Sequence, residues 1–196
     1  MKKSTDLNSV KEVAGCLLYT DVHRVENYPF LVKHPFTDSA FATIVKNPDK
    51  VTENEVINIL ESESNLNRWR EYVAKRIDSA DSADEIYSRI TKPYRLTFMK
   101  YAGQYLSEKD FAEMLCSAWI TSENPNSDAN VSQSELLQMF RSADKSLLMT
   151  AEERKRLDEL DDPVTVYRGV TPYNAKSVKA MSWTLDYEKA LLCGYI

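Results

Sequence analysis

The sequence predicts a mainly α protein, a helical bundle followed by a short α+β segment, and three observations carry that reading. Glycine is scarce: Gly15, Gly103, Gly169 and Gly194 are the only four in 196 residues, whereas sheets joined by tight turns and loops that cradle phosphates consume it. Ser/Thr-x-x-Glu boxes recur ahead of apolar runs, and each is a helix start. Within those runs the apolar residues return at helical spacing, without a longer internal repeat. With 43% hydrophobic and 28% charged residues, a chain of this length can bury a core without disulfides or metals.

Residues 1–50 read as an extended, aromatic-anchored segment packed on the body. An apolar patch in 10–25, Val13, Ala14, Cys16, Leu17 and Leu18, fits either a short helix or a strand. In 27–49, Pro29, Pro35 and Pro48 are interleaved with Tyr28, Phe30, Phe36 and Phe41, and prolines at that density break helices.

Residues 51–160 read as the helical bundle. Thr52 with Glu55 forms a capping box and predicts a helix carrying Val56, Ile57, Ile59 and Leu60. Leu66, Trp69, Tyr72, Val73, Arg76 and Ile77 mark the next helix. Ser82 with Glu85 opens another, with Ile86, Tyr87 and Ile90. Pro93 sits where a first turn tolerates it, ahead of Leu96, Phe98, Met99, Tyr101 and Ala102. Ser107 caps a helix through Phe111, Met114, Leu115 and Trp119, and the polar run 121–130 is a loop. Ser132 with Glu135 opens the helix of Leu136, Leu137, Met139 and Phe140, and Thr150 with Glu153 opens the last, which ends near Leu160. The aromatic and methionine stripes are core.

Formal net charge is −5, without the clustered cations that duplex binding needs. A nucleic-acid role is therefore expected only indirectly, through a protein partner whose basic groove an acidic surface fits. Cys16, Cys116 and Cys193 are far apart and lack a C-x-x-C pair, so they read as free thiols of a reducing compartment. His23 and His34 lack a partner pattern for base or metal chemistry and read as structural. Lys2, Lys3, Asp6, Lys11 and Glu12 interrupt any leader core, and no apolar run reaches membrane-spanning length. The expected location is the cytoplasm of a bacterial host.

The character changes at residues 161–196. Asp161, Asp162 and Pro163 stop the helix, and Val164, Thr165, Val166 and Tyr167 form a β-branched and aromatic run ending in Arg168 and Gly169. A second candidate strand spans 180–185, and Asp186 opens a helix. On the residues alone, Arg168 can pair with Asp161 or Asp162 while Trp183 packs on the bundle.

VTVYRGV followed by MSWTLDYEKA resembles the opening of the ADP-ribosyltransferase fold. That family carries an arginine within a Tyr/Phe-Arg-Gly motif, then a Ser-x-Thr or Ser-x-Ser strand, then a glutamate further on. The chain is also similar to phage and mobile-element proteins in which a helical region precedes such a segment, where KPYRLTF at 92–98 and SENPN at 122–126 find counterparts. The resemblance implies an NAD site at Arg168, Gly169, Ser182 and Thr184. A guanidinium fork grips pyrophosphate oxygens as lysine cannot, Gly169 admits close backbone approach, Ser182 holds a glutamate or ribose hydroxyl, and Thr184 braces the strand.

The spacing from Arg168 to Ser182 is shorter than in the better-known toxins, and the late glutamate that would stabilise the oxocarbenium charge falls beyond Ile196. Glu188 lies on the wrong element to replace it. Residues 161–196 thus read as an incomplete ADP-ribosyltransferase-like segment, whose exposed strand edges invite packing on the body or a homodimer. Three functions remain open: an NAD-dependent transferase completed elsewhere, a non-catalytic inhibitor of a host-defence protein (anti-CRISPR-like), and an inactive structural fragment.

Overall fold

A computed structural model describes residues 4–45, 54–122, 128–172, 175 and 181–194. Among them the protein is mainly α, with two small antiparallel sheets. Helix α1 (Leu7–Leu18) starts at Asp6, whose carboxylate accepts the Ser9 N–H at 3.2 Å. The apolar patch that fitted helix or strand is thus helical. Val10, Ala14, Leu17 and Leu18 fall on one face and are buried. Two bonds tie down the residues ahead of it: the Asp6 N–H donates to the Tyr105 carbonyl at 2.8 Å, and the Thr5 hydroxyl donates to Asp110.

Strands β1 (His23–Val25), β2 (Tyr28–His34) and β3 (Thr37–Ser39) form a meander. Asn27 turns the first hairpin at φ 64°, a left-handed conformation that asparagine tolerates. β4 (Phe41–Val45) pairs with β5 (Asn54–Asn58) in register Phe41↔Asn58 through Val45↔Asn54. The extended character expected for 27–49 is therefore strand as far as Val45; Pro48 lies outside the described residues.

The helix expected after Thr52 is a correction. Glu55, Val56 and Ile57 belong to β5, and Thr52 lies outside the described residues. Ile57 and Ile59 are 4% and 2% exposed, while Val56 just before them is 66% exposed and Asn58 between them is half-buried, so the true period is two. β-Branched residues on a half-buried pleat favour a strand once a partner strand is present.

The other boxes act as helix starts. Ser62 caps α2 (Glu63–Asp78), which buries Trp69 and Ile77. Ser82 caps α3 (Ala83–Ser88), although the Glu85 carboxylate accepts from the Asp81 N–H instead of closing the box. Pro93 lies in a single 3-10 turn, Lys92–Tyr94, that leads into α4 (Arg95–Ala102). Ser107 caps α5 (Glu108–Thr121). Full boxes start α6 (Gln133–Ser142) at Ser132 and α8 (Ala151–Asp158) at Thr150, with the short α7 (Lys145–Leu148) between them. In the loop before α6, the Asp128 carboxylate accepts from the Asn130 and Val131 N–H groups at 2.7 and 3.0 Å; residues 123–127 lie outside the description.

Helix α4 sits at the centre. Leu96, Thr97, Phe98 and Met99 are all buried, the mark of a helix covered on every side. Helices α1, α5 and α6 pack against it and Tyr87 of α3 meets Phe98, while Ile44, Ile57 and Ile59 extend the same core to the β4–β5 hairpin. No helix among the described residues is long and apolar enough to cross a membrane.

Gly103 follows α4 with helical torsions, φ −54° and ψ −35°, which alanine adopts readily. A Cβ there would stand 2.7 Å from Cε2 of Phe111. Overpacking of that kind costs about 1–3 kcal/mol, offset by about 1 kcal/mol of chain entropy. The ring borders an open cleft of about 670 Å³ into which it can move. Gly103→Ala should therefore lower stability by about 1 kcal/mol in urea unfolding.

Candidate functional site

The C-terminal segment brings its two motifs side by side. Tyr167 and Thr184 form an antiparallel bridge: the Tyr167 N–H donates to the Thr184 carbonyl at 2.7 Å, and the Thr184 N–H returns the bond at 2.9 Å. Of the strands expected at 164–167 and 180–185, this bridge is the paired part among the described residues. Arg168, Gly169 and Ser182 therefore flank one junction within two residues of the bridge.

Local chemistry holds the junction. The Thr184 hydroxyl accepts the Asp186 N–H at 3.0 Å, and the Asp186 carboxylate accepts the Lys189 N–H at 3.2 Å, starting α9 (Tyr187–Gly194). Thr184 thus braces the turn from bridge to helix. The Tyr167 and Tyr187 rings meet edge to face with centroids 5.3 Å apart, a favoured aromatic geometry. Ala190 is buried and Met181 packs against the main core, anchoring the unit on the body.

Arg168 is half-buried, and its Nη1 is buried without a hydrogen-bond partner. Neither Asp161 nor Asp162, the carboxylates available in sequence, reaches that nitrogen. A desolvated donor on a charged group is unfavourable by about 1–3 kcal/mol until an acceptor arrives. Gly169 keeps its φ outside the left-handed region; what it offers is the absence of a side chain next to Arg168. Ser182 is exposed, and Trp183 keeps 49% of its surface exposed rather than being sealed on the bundle. Glu188 lies exposed in the first turn of α9.

The remaining candidates are structural or unpaired. His34 is 1% exposed inside the core and His23 lies on the surface strand β1. Cys16 and Cys116 are free thiols, and the Cys193 side chain lies outside the description. Among the described residues no group of three His, Cys, Asp or Glu side chains could hold a metal.

A second group of cations, Lys33, Arg89 and Lys92, meets in a cleft elsewhere on the molecule. Sequence spacing carries no signal for it, because residue 33 comes from a strand and 89 and 92 from a turn between helices. The described chain is thus a helical body with two small sheets, carrying a C-terminal junction centred on an arginine whose buried Nη1 has no hydrogen-bond partner. No family model, curated protein or solved structure matches it.

Proposed function

We propose that residues 161–196 form an ADP-ribosyltransferase-like segment that recognises the pyrophosphate of NAD, with Arg168 as the principal anion-gripping group. One observation carries the proposal: the bridge Tyr167↔Thr184 sets Arg168, with its buried and unpartnered Nη1, at the same junction as the Ser182–Thr184 motif. A dinucleotide supplies the acceptor that this guanidinium lacks, and two phosphoryl oxygens match its fork. Gly169 leaves room for the approach, and the exposed Ser182 hydroxyl lies within reach of solvent and so of a ribose. No residue here is proposed as the catalytic glutamate, so the proposal concerns recognition, with transfer to a protein target as its expected consequence when a glutamate is supplied.

NAD titration by calorimetry checks this. Arg168→Lys should weaken binding by roughly ten- to a hundredfold, the worth of a bidentate charge-assisted contact. Saturable binding that Arg168→Lys leaves untouched, or no binding of NAD at all, sinks the reading.

A second reading, a binding protein directed at a host-defence partner, is favoured by a different surface. Tyr28, Phe30, Phe41 and Val56 stand exposed on the sheets, with the Phe30 and Phe41 rings 5.6 Å apart. Clustered exposed aromatics of this kind mark protein–protein contacts, including self-association into a homodimer.

A further inference from the structure

Three cations with no ion pair among the described residues line one cleft of about 770 Å³. Its described walls are the β2–β3 hairpin, the turn joining α3 to α4, and Ser122 with residues 128–130. Two hydrogen bonds clamp the hairpin to the turn: the Thr91 N–H donates to the Pro35 carbonyl at 2.8 Å, and the Thr91 hydroxyl donates to the His34 carbonyl at 3.0 Å. The clamp places Lys33 of β2 on the same cleft as Arg89 and Lys92.

Arg89 is the C-cap of α3 and is half-buried. Its Nε is buried with no hydrogen-bond partner. A guanidinium with one buried donor left without an acceptor is less well solvated than a free one, so the arrangement favours an anion in the cleft. Lys33 and Lys92 are exposed and form no ion pair among the described residues.

The other charges are accounted for. Arg95 donates from Nε to the Ile90 carbonyl at 3.3 Å and from Nη1 to the Thr121 hydroxyl at 2.9 Å, and lies 4.9 Å from the Tyr87 ring centre. Asp128 is engaged by the Asn130 and Val131 N–H groups. Asp38 is exposed and opposes the cations. Among the described lining residues four cations, Lys33, Arg89, Lys92 and Arg95, stand against two carboxylates, Asp38 and Asp128, a local cationic excess on a protein of net charge −5.

We infer that this cleft binds the phosphate of a small phosphorylated molecule of mononucleotide size. Arg89 takes two oxygens through its planar fork, while Lys33 and Lys92 supply charge from the rim. The volume lies in the range of small-molecule sites. Pro93 and Tyr94 line the same cleft and offer an apolar wall to the organic part. None of the described lining residues belongs to 161–196, so the inference does not depend on the NAD reading.

Calorimetric titration of the full chain with inorganic phosphate, pyrophosphate and AMP tests it. AMP should bind saturably and more tightly than inorganic phosphate, because only AMP uses the apolar wall. Arg89→Gln should weaken AMP by roughly tenfold or more. Lys33→Ala and Lys92→Ala, both on the surface and harmless to folding, should each weaken it several-fold, and Asp38→Asn should tighten it. Circular dichroism confirms that each variant is folded.

Absence of saturable AMP binding overturns the inference, as does AMP binding that is indifferent to both lysine variants and Asp38→Asn. Equal affinity for AMP and inorganic phosphate overturns the mononucleotide ligand. If Arg168→Lys abolishes AMP binding while Arg89→Gln leaves it intact, the cleft is refuted and the C-terminal junction is the phosphate site. Loss through Arg89→Gln with Arg168→Lys silent supports the cleft alone.

Discussion

Acidification from pH 6.5 to pH 4 should remove about 3 kcal/mol of stability through one side chain, His34. The ring is 1% exposed and lies edge-on to Trp69, with centroids 5.1 Å apart. Its Nδ1 accepts the Phe36 N–H at 3.1 Å, which leaves the proton on Nε2, and Nε2 is buried near the Leu18 and Thr20 carbonyls without a well-formed hydrogen bond to either. Burial is the main reason the imidazolium is disfavoured; the nearby Arg70 and His23 charges add to it, and the Leu18 and Thr20 carbonyls oppose it. The pKa falls from 6.5 to about 4.

The sign follows from proton counting. Between pH 4 and 6.5 the unfolded chain binds a proton at residue 34 that the folded chain refuses. Stability is therefore full above pH 6.5, declines as pH falls, and levels off near pH 4 for this group. Glu135 behaves differently. Hydrogen bonds from Ser132 and Lys100 lower its pKa from 4.5 to about 2, so its contribution is lost lower, as pH falls through that range. Urea unfolding at a series of pH values, for the parent and for His34→Gln, separates the two windows. Only the parent should show the decline between pH 6.5 and 4; parallel curves would remove His34 as the cause.

Phe98→Ala should destabilise the protein by about 3–5 kcal/mol, a large share of the roughly 5–15 kcal/mol that holds a typical domain together. Phe98 is wholly buried in α4. Its ring lies 6.2 Å from that of Tyr87, whose hydroxyl donates to the Met114 carbonyl at 3.2 Å. Truncation therefore opens a cavity where α3, α4 and α5 meet, and the Tyr87 bond limits how far the site can collapse. Leu157→Ala, on the exposed face of α8, should change stability by no more than about 0.5 kcal/mol. Denaturant midpoints at unchanged slope measure both. A loss below about 1 kcal/mol at Phe98 would mean that α4 is not the centre of the core.

The candidate sites differ in how far they could be read in advance. Tyr167-Arg168-Gly169 and Ser182-Trp183-Thr184 are each contiguous, and a short chain between them limits how they can meet, so their juxtaposition was legible. The Tyr187 ring against Tyr167 was not, because it depends on the angle at which α9 leaves the Thr184–Asp186 turn. The Lys33, Arg89 and Lys92 cleft was invisible. Its residues come from distant elements, and only the Thr91 clamp on the Pro35 and His34 carbonyls brings them to one surface.

By itself, the sequence determined where most helices begin. At Ser82, Ser107, Ser132 and Thr150 a side chain satisfies a backbone N–H three residues ahead, and that interaction needs no distant partner. It likewise determined the mainly α character, through apolar spacing and scarce glycine. Tertiary structure decided what local chemistry leaves degenerate. Residues 54–58 became a strand because β4 offered its edge; His34 became a buried neutral base because Trp69 and α1 closed over it; the Nε of Arg89 lost its water without gaining an acceptor. In each case the deciding energy, a ladder bond or a desolvation, exists only after remote parts of the chain have met.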